Sequence, residues 1–594
     1  MTDQSPRTSR SPDEAPTRPL ALTRDWRTAR TDLDVLLVVH SLTAATRIAD
    51  VLPALHDPRV QLHCVRTTGV FEAGIDDFVH HHGLHELTWD QAETGRFDLA
   101  VTASLGDDLH TISAPILRLP HGNGYNKYWN QEPGTRNQEP GTRNQEPGTR
   151  NQEPGTSARA FGLSDATLRH DGHLVPTAIA LSHHEQFTRL REGAPAALPH
   201  AFLAGDPCHD RLLASEPHRL RYRQALGVRP HQELVTVNST WREDSLHGVD
   251  PGLTARLLAE LPHDHYRVAL VLHPNVWSAH SPHQIRAWLD APLRAGLHLV
   301  PPHEGWRAAV VAADHVLSDH GSVGMYAAAL GKPVLLDHHG QETLDPRSGL
   351  GRVHEAAHRL DPHAPLVPQL HLAGKLRPHT HRIAADLVSS APWYSLELVR
   401  AEAYRIMGAE PPDAPPALLA VPVPDPDDVG TPPASLWTAV DTHHEPDGTL
   451  TLSVHRAPAS VVPQGVPGAV LVCDHRERDH RIAAQADAVT APRDTLPADE
   501  GLWAQSVFQH RPGAQYTLAH APERITVRPR GSEPVHLVLD PAQPMDHGLV
   551  AAVVAERHLD GAAGGVRALR DGTAPLRIRT GPEHTVTVGL TTEQ

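Results

Sequence analysis

Lysine is almost missing from this chain. Of 594 residues only Lys127, Lys332 and Lys375 are lysine, and acidic side chains outnumber basic ones by 70 to 53, a formal charge of −17 with histidine neutral. Binding to a nucleic-acid backbone needs clustered Lys and Arg that release counterions. No such stripe occurs, which excludes nucleic acid as a bulk electrostatic partner. Cysteine is scarce too. Cys64, Cys208 and Cys473 lie far apart, are odd in number and form no CxxC, so neither a disulfide framework nor a cysteine zinc site is indicated, and a reducing cytoplasm fits them best. Long apolar runs are absent as well. Nothing approaches the roughly 18 uninterrupted apolar residues of a membrane span, although work at a membrane surface stays open. The stretch from Met1 to about Thr31 is rich in Ser, Pro, Thr, Arg and Asp and has no apolar core of a secretory signal. It reads as a disordered tail, residues 1–31.

What is present is length, together with 46 histidines and 55 prolines. A chain of this size holds about three or four average domains, or one two-lobed core with additions. Order begins at Asp34-Val35-Leu36-Leu37-Val38-Val39, an apolar run suited to a strand buried on both faces of a parallel sheet. A helix is expected from about Ala44 to Leu55, where Ile48, Val51, Leu52 and Leu55 recur at helical spacing. Further strand-like runs fall at 60–65, 97–102, 114–119, 178–181, 201–205, 234–238, 268–272, 315–319 and 333–337, and a last helix near Tyr394 to Met407. Strands alternating with helices indicate an α/β fold. Two lobes are expected, residues 32–190 and 195–407, the second including the closing helix.

Between Asn130 and Thr156 the sequence reads NQEPGTR three times and then NQEPGT. It has no apolar face and Pro-Gly in every copy, which excludes a packed solenoid. An expansion tolerated in a surface loop is the preferred reading, because loop length costs little free energy; a lid over the adjacent motif is the alternative. Residues 408–433 are a Pro- and Asp-rich linker. Beyond it, in 434–594, Trp437–Asp441 and Thr449–Val454 flank Asp447-Gly448, a preferred hairpin turn, and Leu576–Arg579 and Thr585–Val588 repeat the pattern around Gly581-Pro582. That region reads as mainly β, without a catalytic motif.

Four motifs sit where a strand ends, the place at which open α/β sheets bind ligands. In Leu119-Pro120-His121-Gly122-Asn123-Gly124, the glycines let the backbone turn and leave the imidazole of His121 accessible; a neutral histidine can take a proton from an attacking hydroxyl, and a plain loop histidine in a histidine-rich chain is the equal alternative. Gly205-Asp206-Pro207-Cys208-His209-Asp210 is the second, readable equally as an ordinary turn. In Asn238-Ser239-Thr240-Trp241-Arg242, the hydroxyls and the guanidinium could hold phosphate oxygens, or Arg242 could be a surface ion-pair partner. The fourth joins Leu272-His273-Pro274 to Ser318-Asp319-His320-Gly321-Ser322-Val323, which passes into a helix ended by Gly331. Ser322 is its expected N-cap, and the N–H groups of such a glycine-bearing helix start suit a phosphate or diphosphate; a tight crossover that needs small residues only for packing is the plainer account. Gly122, Asn123, Asp206, Asp319 and His320 complete the expected cleft lining. Other histidine groups, His80 to His82, His183-His184 and His338-His339, lack the carboxylate-bearing spacing of a metal site and read as solvated surface. No metal or cofactor is expected.

Taken in order, HGNG, GDPCHDRL, NSTWR, LHP, and SDHGS followed by AAALGKPVLL resemble the CDP-glycerol glycerophosphotransferases of teichoic-acid synthesis over about residues 30–400. That family shows HGT, a GxPRxD-like turn, APTWR, a later HP and an SDYSS-like helix start on a two-lobed GT-B fold. The resemblance implies transfer of a glycosyl or polyol-phosphate group from a nucleotide-diphosphate donor to a hydroxyl acceptor, a cell-envelope polymer or lipid-linked molecule, in the cytoplasm or at the inner membrane face. It implies His121 as the base, His273 facing the donor phosphates, and Gly321, Ser322 and Val323 at the phosphate-binding helix start. The sequence also departs from that pattern. Asp319-His320-Gly321-Ser322 leans toward the DSGG of UDP-N-acetylglucosamine 2-epimerases, yet Met325-Tyr326-Ala327-Ala328 stand where those enzymes carry Gln-Glu-Glu-Ala. The carboxylate that often holds a donor ribose is therefore absent. A catalytically degenerate scaffold that binds a ligand or protein is the second reading, and a UDP-sugar 2-epimerase the third.

Overall fold

Strand β1, Leu33–Val39, is buried along its whole length, as a run apolar but for Asp34 must be when helices cover both faces of its sheet. In the computed structural model it lies third in a seven-stranded sheet. The order is β3 (His85–Leu87), β2 (Val60–Arg66), β1, β4 (Leu99–Thr102), β5 (Ile116–Arg118), β8 (Ala178–Leu181) and β9 (Ala201–Leu203), every pair parallel. Between β5 and β8 the chain makes a small hairpin of β6 (Arg169–His170) and β7 (His173–Leu174). The structure describes residues 31–67, 74–104, 108–128, 160–425, 430–446, 450–522, 524–538, 576–579, 585–588 and 591–592. The N-terminal tail, apart from Thr31, and the NQEPGTR repeat lie outside them.

A second parallel sheet follows, in the order β12 (His298–Leu299), β11 (Tyr266–Leu272), β10 (Glu233–Ser239), β13 (His315–Ser318), β14 (Val334–Leu336) and β15 (His358–Arg359). The expected strands are present in both sheets. β3, β12 and β15 are additional, being edge strands of two or three residues that carry too few side chains to show a period. Because β9 pairs with β8, sheet membership changes over after Leu203 and not at 190–195. The first helix, Leu42–Val51, is shorter than expected and gives way to a 3-10 turn at Leu52–Leu55. Pro53 explains the change, since it has no N–H and its ring crowds the carbonyl four residues back.

The closing helix Ser395–Met407 leaves the second lobe and packs on the first. Leu396, Val399, Ala403 and Tyr404 join the core formed by β1 and the helix Leu42–Val51, and Tyr404 donates to Asp57 Oδ2 at 2.7 Å. A buried ion cluster also ties the lobes. Asp50 on the first accepts from Arg307 Nη2 on the helix Trp306–Ala312 of the second at 2.8 and 3.0 Å, and from Arg211 Nη1 at 2.7 Å.

Residues 409–425 form no helix or strand and run from the first lobe, where Arg59 Nη2 donates to the Glu410 carbonyl at 2.7 Å, to the second, where Tyr222 donates to the Val421 carbonyl at 2.8 Å and the Val421 N–H donates to Ser215 Oγ at 2.9 Å. The C-terminal region is mainly β, a ten-stranded mixed sheet. Its expected hairpins pair antiparallel, Ser435–His444 with Leu450–Pro458 and Leu576–Arg579 with Thr585–Val588. Three central strands, Val470–Asp474, Ala488–Pro492 and Tyr516–Ala521, are parallel, and the helices His480–Ala484 and Glu500–His510 lie in their connections. This sheet docks on the second lobe through Arg456 Nε to Asp264 at 2.9 Å and Arg294 Nη1 to Asp479 at 3.1 Å. Asp264 precedes β11, so the contact lies at the amino ends of the strands, away from the ligand end.

Candidate active site

The carboxyl ends of both sheets face a common cleft of about 380 Å³. From the first lobe His40, Ser41, Thr43 and Arg47 follow β1, Arg118 ends β5, and His121, Gly122 and the segment Gly124 to Tyr128 come after it; from the second come the ends of β10, β11 and β13. His121, Gly122, Thr240, Arg242, His273, Asp319, His320, Gly321, Ser322 and Val323, all expected there, line it.

Two expected lining residues do not. Asn123 and Asp206 are buried behind the wall: Asn123 Nδ2 donates to Asp206 Oδ2 at 2.8 Å and to the Val388 carbonyl at 3.1 Å. Asp206 also accepts from the Tyr326 hydroxyl at 2.9 and 3.2 Å and caps the helix Pro207–Ser215 through the His209 N–H. A carboxylate and an amide that satisfy each other this fully are fasteners between lobes.

The helix start is built differently from its expected form. Gly321, with extended backbone, is the N-cap, and Ser322 is the first residue of the helix Ser322–Ala329. Gly321 is small of necessity, since a β-carbon there would stand 2.7 Å from Thr240 Cγ2. The Ser322 hydroxyl accepts the Asn123 N–H at 3.2 Å, so the HGNG turn sits directly against it. Asp319 is consumed by local bonds. Its Oδ2 accepts from the Thr240 N–H at 2.7 Å, the Thr240 hydroxyl at 2.8 Å and the Leu246 N–H at 3.0 Å, while Oδ1 accepts the Gly321 N–H at 3.1 Å. The Gly321 N–H is thereby committed. Those of Ser322 and Val323 face no carbonyl within their own helix, by the geometry of a helix start.

His273 caps the helix Pro274–Trp288. Its Nδ1 accepts the Asn275 N–H at 3.1 Å, which puts the proton of the neutral ring on Nε2, 3.3 Å from Thr43 Oγ1 across the cleft. Burial, reinforced by His121 and Lys127, pushes its pKa down to about 3. His273 is thus a neutral N–H donor. His320 is also held neutral by burial and by Lys127, its Nδ1 donating to the His339 carbonyl at 3.1 Å. Arg242 has a left-handed backbone, φ 81°, and lies over the Trp241 ring at 4.2 Å. A non-glycine residue in that region costs of order 1–3 kcal/mol, which the surrounding loop must supply. Burial lowers the Arg242 pKa and Asp244 raises it.

Five further side chains of the cleft carry little signal in the sequence. Lys127, Arg47, Arg118, Trp241 and Trp306 all line it. Lys127 stands six residues after His121 in one loop, which is a usable signal; Arg47 shares its helix face with Thr43 and Asp50 and shows only as one more polar residue. Among the described residues no group of three or more His, Cys, Asp or Glu is placed to hold a metal ion. None of their helices is long and apolar enough to cross a membrane.

Two parallel α/β lobes sharing a cleft at their strand ends, with the last helix returning to the first lobe, define a GT-B architecture. No protein-family model matches the chain, and no curated protein matches it in sequence. Solved structures similar to it include the wall teichoic acid polymerase TagF, at 10% identity over 64% of this chain and 90% of that one, TM-score 0.42. They also include the UDP-GlcNAc 2-epimerase of Neisseria meningitidis bound to UDP-GlcNAc, at 13% identity over 63% and 99%, TM-score 0.39. S. aureus MnaA with UDP is similar at 11% identity over 65% and 100%, TM-score 0.38.

Proposed function

We propose that the chain is a transferase that moves a glycosyl or polyol-phosphate group from a nucleotide-diphosphate donor to a hydroxyl acceptor. One observation carries the reading: His121 of the first lobe shares a cleft with His273, Thr240, Arg242 and the start of the helix Ser322–Ala329 of the second. The cleft is also cationic. Arg47, Arg118, Lys127 and Arg242 line it against Asp244 and an Asp319 already bound to four donor groups. In a protein of net charge −17 that local excess suits a diphosphate.

In this reading the donor diphosphate lies at the N–H groups of Ser322 and Val323, near Arg242 and Thr240. The acceptor hydroxyl enters beside His121. Its oxygen bonds to the transferred carbon or phosphorus, its proton passes to His121, and the bond to the departing nucleotide phosphate breaks. The Nε2–H of His273 and the helix start stabilise the charge that develops on that phosphate. A cell-envelope or lipid-linked acceptor, and a place in the cytoplasm or on the inner membrane face, belong to the same proposal.

A scaffold that binds without turnover is the second reading, favoured by Tyr326. In the first turns of the anion-binding helix this side chain is buried and bonded to Asp206, and no carboxylate stands there for a ribose. One experiment separates the two. Purified protein is offered CDP- and UDP-linked donors and the free nucleotides, with thermal shift and product release measured together. Binding with turnover supports the transferase, binding alone supports the scaffold, and neither sinks both.

A further inference from the structure

Asn238 has no part in the chemistry above. It lies near the end of β10, is 3% exposed, lines the cleft, and neither Oδ1 nor Nδ2 has a hydrogen-bond partner. Its in-register neighbour on β13 is Ser318, 1% exposed, also lining the cleft and also with its Oγ unpartnered. Paired positions on adjacent strands share a face. Two buried polar groups therefore stand side by side at the ligand end of the sheet.

The rest of that face shows what a purely structural choice looks like. Thr236, two residues back and on the same side of β10, spends its hydroxyl on the Ala309 carbonyl at 3.3 Å. Asn238 could make up to four hydrogen bonds and makes none within the protein, a standing cost in stability that leucine at this position would avoid. Its chemistry differs from that of the cleft walls. Arg47, Arg118, Lys127 and Arg242 recognise negative charge, whereas an amide beside a hydroxyl offers uncharged donors and acceptors together.

We propose that Asn238 and Ser318 hold the uncharged, hydroxyl-bearing part of the ligand, the sugar or polyol carried on the diphosphate. This rests on reading the cleft as a nucleotide-diphosphate site. The test uses the full chain and its Asn238→Leu and Ser318→Ala variants, with affinities measured for CDP, UDP, CDP-glycerol and UDP-N-acetylglucosamine and the melting temperature of each variant taken alone. Asn238→Leu is expected to weaken a linked donor by about tenfold or more, the loss from a buried partner left unpaired, while free CDP or UDP binds as before; Ser318→Ala acts in the same direction. The melting temperature of Asn238→Leu should be unchanged or raised. Equal weakening of free and linked nucleotides would assign the amide to the nucleotide, and no weakening, or a lowered melting temperature, would make it structural; each overturns the proposal while the diphosphate reading stands. Wild-type protein that binds none of the four overturns both.

Discussion

Gly122 and Ser322 meet across the lobe boundary so closely that a β-carbon at position 122 would overlap the Ser322 hydroxyl. The glycine of one motif is thus explained by the serine of the other, two hundred positions later. Gly122→Ala should push the HGNG turn off the helix start, an overpacking that costs about 1–3 kcal/mol, and lower donor affinity or turnover at least tenfold. Ser322→Ala in the same chain removes the overlapping oxygen and should restore part of the loss. A double-mutant cycle of thermal stability and donor binding checks this, and strictly additive effects would refute the contact.

His121→Ala should reduce turnover by about 10²–10⁴-fold, the usual contribution of a positioned base, while donor affinity changes little. His273 offers a contrast. With its pKa near 3 it contributes no ionisation between pH 5 and 8, so His273→Gln should alter donor affinity or rate without moving any acid limb of the pH–rate profile. Steady-state kinetics across that range, with direct binding measurements, distinguish the two roles. Unchanged turnover in His121→Ala would remove it from the base position.

Much of the fold is legible in the sequence because parallel strands buried on both faces carry short apolar runs, as in Val35–Val39 and Val268–Leu272. The motifs that end these strands converge for the same reason, since parallel order puts every carboxyl end on one side. What the sequence hides is tertiary. Nothing local distinguishes Asp319, consumed by four hydrogen bonds, from a carboxylate that faces a ligand, and nothing marks Asn123 and Asp206 as partners of each other. The return of Ser395–Met407 to the first lobe is likewise a packing outcome, invisible in the helix's own pattern.

Asp50 is bonded to both Arg211 and Arg307 at the lobe boundary, with Arg47 3.6 Å away. Asp50→Asn keeps its shape and removes its charge, leaving the buried guanidinium of Arg307 with Glu304 as its acidic partner among the described residues. Breaking a buried pair in this way costs about 3–5 kcal/mol. Urea unfolding should show that loss, accompanied by weaker donor binding because the cleft is formed by both lobes. A loss below about 1 kcal/mol, the range of exposed pairs, would mean the cluster does not hold them together.

Acid should loosen the second lobe before carboxylates titrate. Burial holds His273 near 3, and His298 and His354 near 4, against an ordinary value of about 6.5. All three are neutral in the fold, while the unfolded chain takes up protons as pH falls below about 6.5. In that window the unfolded state binds more protons, so stability rises with pH. Their contribution is complete above about pH 6.5, falls as the pH drops, and levels off once the folded pKa values near 4 and 3 are passed. Denaturant midpoints at pH 7 and pH 5 should therefore differ, with the lower midpoint at pH 5. His298 does not line the cleft and provides the control: His298→Gln, which cannot take up a proton, should flatten the dependence by its own share while leaving donor binding intact. A slope unchanged in that variant would assign the acid sensitivity to other groups.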